Sequence, residues 1–167
     1  TVSHHATTLQ REIELGVNHW PIDKYGYYGH HYFIETNDEP LRFYGDYKLP
    51  SRAVDYRIYH PRLIEDFQER GGDYRIKKIE HSDITKLSEE FDLLVVCTGK
   101  GPFGEMFEYE RQYMPFDKPA RNLCAGLYKG IAQREVRAVT MNFIPGVGEL
   151  VEIPVYTFDD QMSTALL

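Results

Sequence analysis

Only two cysteines, Cys97 and Cys124, occur in 167 residues. So few thiols build no disulfide scaffold and suit a reducing, cytoplasmic setting. Long hydrophobic runs are missing as well. The longest is Leu93-Leu94-Val95-Val96-Cys97, far short of the roughly 20 residues that a membrane-spanning helix needs. The first residues are polar and contain no apolar stretch of a signal peptide. Basic charge is in deficit, with 19 Lys and Arg against 26 Asp and Glu and a formal charge of −7. Phosphate-rich partners are repelled by such a balance, which disfavours nucleic acid and acidic membrane surfaces. Seven histidines occur, yet none stands in H-x-x-x-H or H-E-x-x-H, and neither cysteine has another two residues away. That disfavours a metal site. G-x-S-x-G is absent, and Ser51 sits in Leu49-Pro50-Ser51-Arg52, so a serine hydrolase has little support.

Aromatic residues are abundant. Thirteen tyrosines and nine phenylalanines help bring them to 14% of the chain. Tyrosine offers a flat, rigid surface with a polar tip, suited to pockets, interfaces or a packed sheet. The length fits one domain. Leu9 and Ile13 are spaced for a short helix weakened by Gly16, and Trp20-Pro21 breaks the run. Aromatic and β-branched residues predict strands near 28–35 and 41–47, joined by the turn residues of Thr36–Pro40. Tyr59, Leu63 and Phe67 predict a helix within 55–70, capped by Asp55 and stopped at Gly71-Gly72. Pro61 requires either a kink or a late start. Tyr74–Ile79 reads as a short strand, Ser82–Glu90 as a helix, and Phe91–Thr98 as a strand buried on both faces. Residues 99–120 read as loop. Four strands near 121–129, 136–144, 149–157 and 161–167 complete the chain. This order argues for an α+β fold with a largely antiparallel sheet.

Gly99-Lys100-Gly101-Pro102-Phe103-Gly104 matches G-x-G-x-x-G after an apolar run. A nucleotide loop would use its amides to hold a diphosphate. Pro102 removes one such amide, and acidic residues follow, so a glycine-rich crossover is the better reading. Gly26 and Gly29 interrupt an aromatic strand, which points to a bulge or a close approach of another group. Adjacent histidines on a strand face opposite ways, so only one of His30 and His31 can look into a given pocket.

Longer strings carry more. Leu9-Gln10-Arg11-Glu12, Phe43-Tyr44-Gly45-Asp46, Pro50–Arg57, Asp92–Lys100 and Arg137-Ala138-Val139-Thr140-Met141 together resemble the styrene monooxygenase family, specifically its FAD-dependent epoxidase component. The resemblance covers essentially the whole chain and the middle of that protein. It implies that residues 1–167 are the substrate-binding part of a two-domain flavoprotein. A Rossmann glycine fingerprint is expected before Thr1, and a Gly-Asp FAD motif after Leu167. It further implies a two-component monooxygenase. A separate NADH-dependent flavin reductase supplies reduced FAD, a flavin C4a-hydroperoxide forms with O₂, and oxygen is transferred to a small aromatic alkene. Such chemistry needs no nucleophilic catalytic residue and no metal. The protein's task is to orient the substrate and exclude water. The positions that distinguish styrene-type from indole-type members hold Val2, His4, Tyr27, His30 and Ser51 here. That set favours epoxidation of styrene-like alkenes, with these side chains lining the substrate or flavin pocket. An indole-type monooxygenase, a non-catalytic module for aromatic ligands and a phosphate-binding loop at Gly99 stay open, as does a homodimer.

Overall fold

The computed structural model describes residues 3–99, 101–108, 110–119, 121–158 and 162–166. The chain forms two compact units, Thr1–Asp73 with Leu123–Leu167, and Tyr74–Asn122.

The first unit is built on a curled, seven-stranded sheet in the order β1-β3-β2-β5-β6-β7-β4. Its strands are β1 (Ser3–His4), β2 (Gly26–Ile34), β3 (Leu41–Ala53), β4 (Gly126–Tyr128), β5 (Val139–Ile144), β6 (Gly148–Tyr156) and β7 (Met162–Leu166). Only β2 and β5 pair in parallel; the other neighbours are antiparallel. This is the expected α+β fold, with β3 running six residues further than the sequence suggested. The β5–β6 hairpin closes through Ile144-Pro145-Gly146-Val147, where the Val147 amide donates to the Ile144 carbonyl at 3.0 Å and Gly146 has φ 75°. Proline second and a left-handed glycine third are what a type II turn requires.

One sheet face carries the helices α1 (Ala6–Glu14), α2 (Ile22–Tyr25) and α3 (Tyr56–Glu69). Trp20, Tyr25, Val54 and Tyr59 form the core there. The Asp55 carboxylate accepts from the Arg57 amide at 2.9 Å, satisfying one orphan donor at the start of α3. The helix then runs through Pro61 and ends before Gly71, whose φ of 86° suits glycine. Of the expected apolar stripe, Tyr59 is buried and Leu63 packs on the core, but Phe67 is exposed. Asp66 is buried in its stead, held by His19 at 2.6 Å and Arg62 at 2.8 Å. The opposite sheet face buries Tyr27, Ala53, Val139 and Val155. The sheet curls far enough for Val54 to bridge Tyr156, and the Asp55 amide donates to the Tyr156 carbonyl at 2.9 Å.

The second unit holds α4 (Asp83–Glu90) and two short 3-10 turns, Pro102–Met106 and Arg111–Tyr113. Two expected strands are corrected here. Neither Tyr74–Ile79 nor Phe91–Thr98 forms one, and Leu93 and Val95 are 76% and 73% exposed. A strand exists only where a neighbour takes its backbone donors and acceptors. Among the described residues no strand lies in this unit to do so. Across the described residues, no helix is long and apolar enough to cross a membrane.

Candidate functional site

The β2–β3 pairing contains the irregularity that shapes the site. Tyr27 faces Ser51, and Gly29 faces Asp46, so β2 advances by two residues while β3 advances by five. Pro50 lies in the surplus stretch, where its missing N–H suits a bulge. The glycines explain the tight register. A Cβ on Gly29 would overlap the Gly45 carbonyl and the Tyr44 ring, and one on Gly26 would meet the Ile22 carbonyl. The irregularity brings Tyr27 onto the face of His30 and of Tyr47, which lies two residues beyond Gly45, the partner of His30. The Tyr47 ring centroid lies 6.0 Å from that of Tyr27, 5.0 Å from His30 and 6.0 Å from His5.

A chain of polar contacts results. His5 Nδ1 and Ser51 Oγ are 2.6 Å apart. The Tyr47 hydroxyl lies 2.8 Å from His30 Nε2, and the Tyr32 hydroxyl 3.4 Å from His30 Nδ1. Tyr27 is wholly buried, with the Ser3 and Ser51 hydroxyls beside its own. Burial, and secondarily the charge of His5, holds the His30 pKa below its ordinary value. Burial also raises the pKa of Tyr27 and of Tyr47, the latter further through neighbouring tyrosines. The imidazole is therefore neutral and both phenols protonated near pH 7. Beside this group, Tyr32 stacks between Phe43 and Phe143 at centroid distances of 4.8 and 6.5 Å. Val139, Val155, Met141, Val151 and Ile153 supply the apolar remainder of the face. Flat rings, aliphatic side chains and a few fixed polar tips suit a planar apolar ligand.

Tyr27, His30 and Ser51 thus meet around Tyr47. His4 goes elsewhere. Paired with Arg52 across β1 and β3, it shares the helical face, where Nδ1 lies 2.6 Å from Glu12 Oε1 and its ring stands edge-on to Tyr59 at 4.8 Å. Val2 lies outside the described residues. Sequence reasoning missed Tyr47 and His5. The alternation of β3, which puts Tyr47 on one face with Gly45 and Ser51, was the available signal. Also missed is a separate cleft of about 340 Å³ on the helical side of the sheet, lined by Gln133, Arg134, Thr140, Glu152 and Thr164 among others.

Gly99 and its neighbours do not offer a diphosphate cradle. The Gly101 amide donates to the Thr98 carbonyl at 3.1 Å and the Gly104 amide to the Gly101 carbonyl at 3.0 Å. Those donors are spent within the turn, and Lys100 lies outside the described residues.

Residues 99–167 match the family model described as "Styrene monooxygenase A putative substrate binding domain". Over all 167 residues the chain is 53% identical to styrene monooxygenase StyA of Pseudomonas fluorescens and 52% identical to that of a Pseudomonas species. It spans 40% of the length of each of these curated relatives. Identity at that level runs along the entire chain, so the chain is similar over its whole length to two fifths of those proteins, and its last part matches that substrate-binding domain model.

Proposed function

We propose that the chain is the substrate-binding region of a two-component FAD-dependent monooxygenase that epoxidises styrene-like aryl alkenes. The observation that carries this reading is the face where Tyr27, His30 and Ser51 meet around Tyr47 beside the Phe43–Tyr32–Phe143 stack. Among the described residues, the Gly99 turn does not fit the cofactor's diphosphate, because its Gly101 and Gly104 amides are already bonded. Reduced FAD, delivered by an NADH-dependent reductase, would when bound activate O₂, one atom of which goes to the alkene and the other to water.

The chain's residues do the rest. The stacked rings hold a planar substrate in one orientation, which converts a collision into a positioned encounter. Val139, Met141, Val151 and Val155 keep water from the reacting face. Ser51, held by His5, and His30, held by Tyr47, set the polar points of an otherwise apolar wall.

The test uses the full-length protein with a flavin reductase, NADH, FAD and styrene. Styrene oxide detected by gas chromatography is the expected product. Binding of styrene without any oxygenated product would identify a non-catalytic module for aromatic ligands, and turnover of indole in preference to styrene would identify the indole type.

A further inference from the structure

No motif singles out Tyr47, yet it touches three of the aromatic and imidazole rings of the site. Its hydroxyl keeps its proton, because burial and neighbouring tyrosines raise its pKa. Protonated, it can donate or accept, and it lies 2.8 Å from His30 Nε2 and 3.3 Å from Nδ1. An imidazole nitrogen that accepts a hydrogen bond carries no proton, so donation from Tyr47 to the nearer Nε2 would leave the proton of the neutral ring on Nδ1, which lies 3.4 Å from the Tyr32 hydroxyl.

We propose that Tyr47 is a specificity-determining positioning residue, which fixes His30 as the Nδ1–H tautomer and occupies the Nε2 acceptor, so that the wall prefers aromatic hydrocarbons to heteroaromatic rings bearing an N–H. The claim rests on the monooxygenase reading above and adds to it the discrimination between two substrate classes. With Nε2 occupied, a hydrocarbon ring can cover His30 without stranding an acceptor. Without the Tyr47 hydroxyl, covering His30 with a hydrocarbon leaves Nε2 unsatisfied, whereas an N–H ring can supply the lost donor.

The experiment compares full-length parent and Tyr47→Phe proteins in two arms. In the first, ¹⁵N-histidine NMR reads the His30 tautomer, with the signal assigned by its loss in His30→Gln. The parent should show a neutral ring protonated at Nδ1, and Tyr47→Phe should move the proton wholly or partly to Nε2. A parent ring protonated at Nε2 overturns the proposal even if the variant does not fold. In the second arm, the ratio of kcat/KM for styrene to that for indole is measured with the reductase present. Tyr47→Phe should lower that ratio about tenfold. An unchanged ratio in a folded variant whose tautomer has moved overturns the discrimination. If the parent oxidises neither compound, the monooxygenase reading itself fails and the discrimination falls with it; the NMR arm still decides the hydrogen bond.

Discussion

Arg52 is 0% exposed, and its guanidinium is held from three sides. It pairs with Glu12, donates to the Trp20 carbonyl, and reaches Asn18 Oδ1 at 2.6 Å. Glu12 in turn pairs with His4 and accepts from the Tyr59 hydroxyl at 2.9 Å. Removing one member leaves a buried charge without compensation, which costs about 3–5 kcal/mol. Glu12→Gln is therefore expected to shift the urea midpoint to a much lower concentration, and an unchanged midpoint would show that water reaches Arg52. The same group predicts an acid limb. Burial pushes the Glu12 pKa upward, but the bonds to His4 and Tyr59 and the charge of Arg52 outweigh it, leaving the pKa below 4.5. Asp55 lies below 3.8, chiefly through its hydrogen bond with Arg57. A carboxylate with a depressed folded-state pKa stabilises the fold fully above its unfolded pKa and loses that contribution as pH falls through the folded value. Melting temperature should hold between pH 5 and 7, measured at about those limits, and drop below pH 4.5. Glu12→Gln should flatten that drop.

At the scale of elements, the β2–β3 bulge decides where the aromatic side chains point. Tyr27 and His30 are three residues apart, and a regular strand would send them to opposite faces. Instead the irregular pairing with β3 puts both on one face, beside Tyr47. The register depends on Gly29, where a Cβ would overlap the Gly45 backbone, whereas a Cβ on Gly45 itself would meet nothing within 4 Å. Gly29→Ala is expected to cost roughly 1–3 kcal/mol by overpacking and to loosen the Tyr47–His30 contact. Gly45→Ala should be close to neutral. Chemical denaturation of the two variants side by side checks the contrast, and equal losses would place the constraint elsewhere.

At the scale of the whole molecule, the chain spans two fifths of its relatives and offers no diphosphate cradle at the Gly99 turn. Most of the contacts that hold a dinucleotide come from such amides at a helix N-terminus. The isolated chain is accordingly expected neither to retain FAD nor to epoxidise styrene. Anaerobic titration with reduced FAD measures this directly, and micromolar or tighter binding would overturn it. Phe91, Leu93, Val95 and Val96 together expose apolar surface on the second unit. Apolar surface of this kind seeks burial, so the isolated chain should bind a hydrophobic dye more strongly than the full-length protein does.

Local structure was legible along the chain. Alternation of aromatic and β-branched residues placed β2, β5 and β6; Asp55 and Gly71 bounded α3; Pro145-Gly146 turned the hairpin. Each of these is decided within a few residues by sterics, hydrogen-bonding capacity or period, and so was legible along the chain. The resemblance named the family from contiguous strings. Tertiary structure decided the rest. Phe91–Thr98 has the composition of a buried strand, but composition cannot supply the neighbour that a strand pairs with, and here it forms none. His4 and Ser51 were grouped as one site, yet the β1–β3 register puts His4 beside Arg52 and so on the other face from Ser51. Tyr27 and His30 came to share the Tyr47 face only through a bulge that depends on the pairing of two strands. Register and facing are properties of pairs of segments, fixed by hydrogen bonds between residues distant in sequence, and that is why a single reading along the chain did not contain them.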